Sequence, residues 1–302
     1  MITPQTEHPE LAKIIGVPRL YFKREDLHPY GSHKGRSIPV MIDTRVSAGK
    51  THFAISSSGN AALAAVRYIQ EKNNPILIDE ADVGKTGGES LSLSIFIGEN
   101  MNPEKKKKLL AEIRDKKIIT IETARPLQAL TKSGIESLRQ STDPTALYGY
   151  KTLAKELLDM SGTPKLSDIF IGTSSGTTAQ ALADYFMANK KEIAVHIVQP
   201  IDNSPIAREF DTEKREPEIS IADAIVDKVA HRKEALVDAI QKTGGAGWVV
   251  SNDEIKRAQK LLAEKADIYA SPNGALSLAG LMRAISKGRK FRGSVVCVIT
   301  GQ

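Results

Sequence analysis

Asp168-Ile169-Phe170-Ile171-Gly172-Thr173-Ser174-Ser175-Gly176-Thr177-Thr178 is the stretch that decides the fold class. A short apolar run, Asp168–Gly172, ends in a turn of glycine and small hydroxyl residues, and a helical pattern, Thr177–Asn189, starts directly behind it. A strand that feeds a helix through a short turn is half of a β-α-β crossover, the unit from which helix-covered parallel sheets are built. The turn is chemically informative as well. Its small residues let backbone N–H groups converge at the positive end of a helix, which suits either a phosphate or carboxylate cradle or a plain tight turn. Its glycines do not follow the G-x-G-x-x-G spacing, so a dinucleotide site is not expected.

Outward from this stretch the same alternation recurs. Strand-like runs fall at Leu20–Lys23, His52–Ser56, Ile76–Asp79, Ile118–Glu122, Ala194–Gln199 and Ser294–Thr300. Helical patterns fall at Asn60–Lys72, Pro103–Arg114, Leu127–Gln140, Tyr150–Met160, Asn252–Lys265 and Gly274–Lys287. The pattern predicts an α/β protein of two lobes, each a mostly parallel sheet covered by helices. The polar stretch Gln140–Pro144 reads as a seam, giving a smaller lobe at 45–145 and a larger one from 1–44 and 146–302. Lys105–Lys108 sit in a helical pattern whose Leu109, Leu110 and Ile113 face inward, so the run reads as a solvated helix face.

Composition bounds the function. At about 150 residues per domain, 302 residues fit two domains. The 41% hydrophobic content excludes a disordered chain. Lys and Arg number 42 against 36 Asp and Glu, a net +6 that suits a soluble enzyme handling anions better than a nucleic-acid binder. The single cysteine, Cys297, excludes an intrachain disulfide and a cysteine zinc site. Pro4, Glu7, Glu10 and Pro18 interrupt the first twenty residues, so no signal peptide is expected, and no apolar run approaches ~18 residues. A cytoplasmic protein without a metal, nucleic-acid partner or membrane association is the expectation. Gly84-Lys85-Thr86 imitates the end of a P-loop, but Asp79 stands where its first glycine is required.

Two further segments carry candidate chemistry. Ser56-Ser57-Ser58-Gly59-Asn60-Ala61 joins a strand to a helix, and its hydroxyls could either cap that helix or bind a substrate carboxylate. Near the N-terminus, Leu20-Tyr21-Phe22-Lys23-Arg24-Glu25-Asp26-Leu27-His28-Pro29-Tyr30-Gly31-Ser32-His33-Lys34-Gly35-Arg36 ends a strand and begins a helical pattern at Lys34. A lysine near a helix start and a phosphate site could be a nucleophile; it could also be an ordinary surface residue.

Leu20–Arg36 resembles the segment K-x-E-D-x-x-P-x-G-S-x-K-x-R of the pyridoxal-phosphate enzymes of the tryptophan synthase β/threonine synthase type. Further similarities follow in order: Ser57-Ser58-Gly59-Asn60, Gly149-Tyr150-Lys151-Thr152, Gly172–Thr177, Ile221-Ala222-Asp223, Ser251-Asn252-Asp253-Glu254, Ser271-Pro272-Asn273-Gly274-Ala275 and Thr300-Gly301. Departures include His33 where phenylalanine is common, Gly35 for aspartate and Ser271 for glutamate. The resemblance implies a tryptophan synthase β-like fold and pyridoxal 5'-phosphate as cofactor. It implies Lys34 as the Schiff-base lysine, and Asn60, Gly172, Thr173, Ser174, Ser175, Gly176, Thr177 and Thr300 as further cofactor contacts. Ser57, Ser58, Gly59 and Asn60 would bind the carboxylate of an amino-acid substrate. The likeness is greatest to threonine synthases, through Ile221–Ile225 and Thr300, and implies conversion of O-phosphohomoserine to threonine and phosphate. A serine/threonine dehydratase or β-replacement enzyme is the alternative, and a cofactor-binding protein without turnover a further one. Arg24, Lys85 and Lys151 are candidates for a substrate phosphate, and a homodimer is expected.

Overall fold

The computed structural model describes residues 2–57, 59–74, 90–99, 101–159 and 165–301. The chain forms two compact units, one from Met1–His28 with Tyr150–Gln302 and one from Pro29–Gly149. Elements are numbered along the chain. The first unit holds β1 (Gln5–Glu7), β2 (Arg19–Arg24), β7 (Leu166–Gly172), β8 (Ala194–Pro200), β9 (Gly247–Val250) and β10 (Ser294–Ile299) in the order β1-β2-β10-β7-β8-β9. Only the β1–β2 pair is antiparallel.

β10 explains why this sheet is buried on both faces. Its side chains alternate, as a strand requires: Val295, Cys297 and Ile299 enter one apolar cluster, Val296 and Val298 the other. The first cluster is closed by α1 (Pro9–Ile15), α9 (Asn252–Ala266) and α10 (Pro272–Ser286). The second is closed by the C-terminal part of α6 (Thr145–Leu158), by α7 (Thr177–Ala188) and by α8 (Lys233–Lys242). Each fully buried Leu, Ile or Val contributes about 1.5–3 kcal/mol against solvent exposure.

The second unit holds β3 (His52–Ile55), β4 (Ser92–Ile97), β5 (Ile119–Thr123) and β6 (Glu136–Ser137), all parallel, in the order β5-β4-β3-β6. Its helices are α2 (Ile38–Val46), α3 (Asn60–Lys72), α4 (Pro103–Glu112) and α5 (Pro126–Ser133). On α4, Lys106, Lys107 and Lys108 are exposed and Leu109 is buried, although Leu110 faces solvent rather than the core. No helix among the described residues is long and apolar enough to cross a membrane.

Three differences from the sequence reading have local causes. The helix expected over Leu127–Gln140 stops at Ser133, because Gly134 turns the chain at φ 64° and Glu136-Ser137 pair with Phe53 and Ala54 of β3. The boundary between units falls at Gly149/Tyr150, inside α6, and not at Gln140–Pro144. The unit Pro29–Gly149 also includes residues 29–44, since α2 and the 3-10 turn His33–Arg36 pack on α3. Lys34 therefore belongs to the same unit as Ser57, Gly59 and Asn60, where the sequence reading had placed it in the larger lobe. The strand expected at Ile76–Asp79 and the Gly84–Thr86 turn lie outside the described residues.

Candidate active site

In the first unit, β7 delivers the chain to the turn 173–176. The Thr173 N–H donates to the carbonyl of Val198 on neighbouring β8 at 3.1 Å, so the turn begins where the two strands end. Gly176 precedes α7 at φ 83° and donates its N–H to Thr173 Oγ1 at 3.0 Å. A Cβ at Gly176 would lie 2.1 Å from Leu236 Cδ2, so the glycine is demanded by the α8 side of the turn as well as by its φ. Ser175 and Thr177 share a hydroxyl–hydroxyl bond of 2.9 Å. The first N–H groups of a helix have no acceptor inside it, and the first turn of α7 carries no acidic residue. The turn is thus suited to an anion.

Ser174 behaves differently from its neighbours. Its Oγ donates to Asp227 Oδ2 at 2.8 Å and accepts the N–H groups of Val226 and Asp227, both at 3.0 Å. A serine hydroxyl has one proton and two lone pairs, and here all three are engaged. The contribution left to Ser174 toward an anion is its backbone N–H. Sequence reading also missed Gln199. This buried glutamine at the end of β8 donates to the carbonyl of Ser174 at 3.1 Å and accepts from Ile206 and Ala207 N–H at 3.0 and 2.9 Å. A glutamine inside the apolar run Ala194–Pro200 was the available signal.

Thr300 is buried directly after β10, and the parallel register Val298 to Ile171 sets the ends of β10 and β7 side by side. Open α/β sheets bind ligands beyond this edge. Ser271 caps α10, accepting from the Gly274 N–H at 3.2 Å and donating to the carbonyl of Gly301 at 3.1 Å. The departure from glutamate at this position thus ties a helix start to the chain behind Thr300.

In the second unit, Lys34 lies half-buried in the 3-10 turn His33–Arg36 with its N–H on Ser32 Oγ at 3.2 Å. Among the described contacts its amine has no ion-pair partner. Lys23 is the contrast: 1% exposed, it donates to Glu156 at 2.5 Å and to the Thr3 carbonyl at 2.8 Å. The turn that holds Lys34 packs on α3, whose first residue is Asn60. Among the described residues no side chain caps α3; Ser57 Oγ accepts the Gly59 N–H at 3.3 Å. Ser57, Gly59 and Asn60 are half-buried, and Ser58 lies outside the described residues. Of the basic candidates, Arg24 is engaged by Asp26 at 2.7 Å, Lys151 is exposed on α6, and Lys85 lies outside the described residues.

Mostly parallel sheets covered by helices, with a turn of small residues between a strand end and a helix start, are the architecture of the pyridoxal-phosphate enzymes with a tryptophan synthase β-like fold. Residues 2–78 and 89–301 match the family described as "Pyridoxal-phosphate dependent enzyme", and the chain belongs to it. It is 29% identical to the threonine synthase of Methanocaldococcus jannaschii over 99% of this chain and 74% of that one. It is 27% identical to the threonine synthase of Mycobacterium tuberculosis, over 99% and 80%. Among solved structures it resembles serine racemase from Dictyostelium discoideum, with a TM-score of 0.78, 19% identity and coverage of 99% and 92%. It also resembles a threonine deaminase from Solanum lycopersicum, with a TM-score of 0.76, 18% identity and coverage of 99% and 78%. Pyridoxal phosphate is the cofactor. The residues fit it: in one unit the turn 173–176 offers the Ser174 and Ser175 N–H groups and α7 has no acidic residue in its first turn, and in the other the Lys34 amine has no ion pair among the described residues.

Proposed function

We propose that the protein is an amino-acid lyase of the threonine synthase type, converting O-phosphohomoserine to threonine and inorganic phosphate. The observation that supports it most is the likeness to threonine synthases along 99% of this chain. Pyridoxal phosphate, when bound, supplies an electron sink for bond breaking at the substrate's α-carbon. Lys34 is the residue that holds it covalently, and its amine afterwards takes and returns a proton beside that carbon. Gly172, Thr173, Ser174, Ser175, Gly176 and Thr177 form the phosphate cradle, with the Ser174 and Ser175 N–H groups as donors, since those of Thr173 and Gly176 are already given to Val198 and to Thr173 Oγ1. Thr300 offers the ring nitrogen a neutral hydroxyl. An uncharged partner does not stabilise a protonated ring, which suits elimination and replacement over transamination. Ser57, Ser58, Gly59 and Asn60, at the start of α3, bind the substrate carboxylate, and Asn60 also contacts the cofactor.

A serine/threonine dehydratase is the second reading. It is favoured by Arg24, whose guanidinium is already held by Asp26 and so does not wait for a substrate phosphate. The test is the purified protein with pyridoxal phosphate and a panel of amino acids. Phosphate release from O-phosphohomoserine supports the first reading, and 2-oxo acid from serine or threonine supports the second. Binding without turnover of any substrate overturns both. Borohydride reduction should fix the cofactor on Lys34, and on no lysine in Lys34→Ala.

A further inference from the structure

After the 3-10 turn Ala207–Glu209 the chain runs to Arg232 with no helix or strand. Within it, residues 219–227 form a strap held mainly by side chains of other elements. Ser220 N–H donates to Asp202 at 2.9 Å and Ile221 N–H to Asn252 at 2.9 Å, while Asn252 donates to the Ile219 carbonyl at 2.8 Å. Ala224 N–H donates to Asn273 at 3.0 Å, and Asn203 donates to the Ile225 carbonyl at 2.7 Å. Val226 and Asp227 N–H both donate to Ser174 Oγ. These partners stand behind β7 and β8 and at the starts of α9 and α10, at the sheet edge that carries Thr300.

Apolar packing secures only the middle of the strap. Ala222 is buried and Ile221 and Ile225 are half-buried, but Ile219 and Val226 are 89% and 66% exposed, and Val229 beyond them 70%. A segment without ladder bonds and with little buried surface opens locally at low cost unless a polar contact holds it. At its C-terminal end that contact is Ser174, the same residue that stands in the phosphate turn.

We propose that Ser174 and Asp227 are a positioning pair: the Ser174 hydroxyl is not a ligand of the cofactor phosphate but the latch that ties the strap to the phosphate turn, so that filling the turn orders the strap. The proposal rests on the reading that the turn 173–176 holds that phosphate. Asp227 acts by accepting the Ser174 proton. This leaves the two lone pairs of Ser174 for the strap N–H groups and keeps its hydroxyl off the anion. The backbone N–H of Ser174, on the same residue, transmits the occupancy of the turn.

The test is amide hydrogen exchange of the full chain, read at residues 174–178 and at 226–227, alone, with pyridoxal phosphate and with pyridoxal, which lacks the phosphate. Pyridoxal phosphate should slow both sets in the native protein, and pyridoxal should slow neither as far. In Ser174→Ala the amides of 226 and 227 should exchange about tenfold faster, the size of one lost hydrogen bond. They should no longer respond to the cofactor, although 175–178 still do. Asp227→Ala should loosen the strap in the same way, and Asp227→Asn, whose amide oxygen still accepts the proton, should restore the native rates to within about twofold. The latch is overturned if 174–178 respond in the native protein and 226–227 do not. It is also overturned if Ser174→Ala lowers cofactor affinity tenfold while leaving the strap's rates and response intact. If neither set responds, the turn is not the phosphate holder, and the latch falls with that reading.

Discussion

A Cβ at Gly176 would meet Leu236 Cδ2 at 2.1 Å and Ile206 Cδ1 at 3.2 Å, on a backbone at φ 83°. Replacing Gly176 by alanine therefore combines left-handed strain with overpacking, each about 1–3 kcal/mol. Denaturant unfolding of the cofactor-free protein, followed by the fluorescence of Trp248, should show a loss of at least about 2 kcal/mol. Unchanged stability with weakened cofactor binding would mean that the glycine serves the ligand and not the fold. A second residue-scale effect sits at the other end of the strands. His196 is fully buried, bonded to Asp168 at 3.0 Å, and accepts the Ala246 N–H at 3.0 Å. Burial pushes its pKa below the ordinary 6.5, and the Asp168 bond only partly opposes this. The unfolded chain then binds the proton more readily, so this contribution to stability is present above about pH 6.5 and is lost as the pH falls through it. Burial raises Asp168, but the bonds from His196 and Ser167 outweigh it and hold the carboxyl below 3.8, so Asp168 adds its own loss only in stronger acid. His196→Gln should flatten the fall in stability between pH 7.5 and 5.5 (the range is about one unit either side of the histidine value). Equal slopes in the two proteins would discard this account.

At the scale of elements, α9 shows what a sequence can state about itself. Ser251 accepts the Glu254 N–H at 3.3 Å and Glu254 accepts the Ser251 N–H at 2.7 Å, a reciprocal capping box visible as Ser-Asn-Asp-Glu. Ser251→Ala should cost about 1 kcal/mol, measured by denaturation, and a change under a few tenths would show that solvent caps α9 equally well. Elements marked by such local chemistry were legible: α3 and α7 begin where the residues place them, and β10 follows its run of β-branched residues. Elements without it were not. β9 is four residues long, β6 is two, and both exist through pairing with β8 and β3, a partner that no local pattern reveals. The helix expected from Lys34 begins only at Ile38, behind the 3-10 turn His33–Arg36, and α8 starts without a side-chain cap that could have marked it. At the candidate site, residue types were legible and hydrogen-bond commitments were not: nothing in Thr173-Ser174-Ser175 distinguishes the serine whose hydroxyl is taken by Val226 and Asp227, some fifty positions away.

On the scale of the whole chain, the apolar clusters respect the division into units. The two clusters flanking the six-stranded sheet contain only residues of Met1–His28 and Tyr150–Gln302, and the two of the four-stranded sheet only residues of Pro29–Gly149. The first unit needs both of its stretches, because β2 from the N-terminal one pairs with β10 from the C-terminal one over six residues. The second is a single continuous segment with its own sheet, its own core from Ile38 to Ala146 and charged ties such as Arg45 to Glu136 at 2.8 Å. A continuous segment within the ~50–250 residue range of ordinary domains, with its own core, has what it needs to fold unaided. Expressed alone, Pro29–Gly149 should melt cooperatively by far-UV circular dichroism, with a sharp transition and no dye-binding apolar surface before it. A broad, featureless melt would show that the segment requires the rest of the chain, and that the division of the cores is not a division of stability.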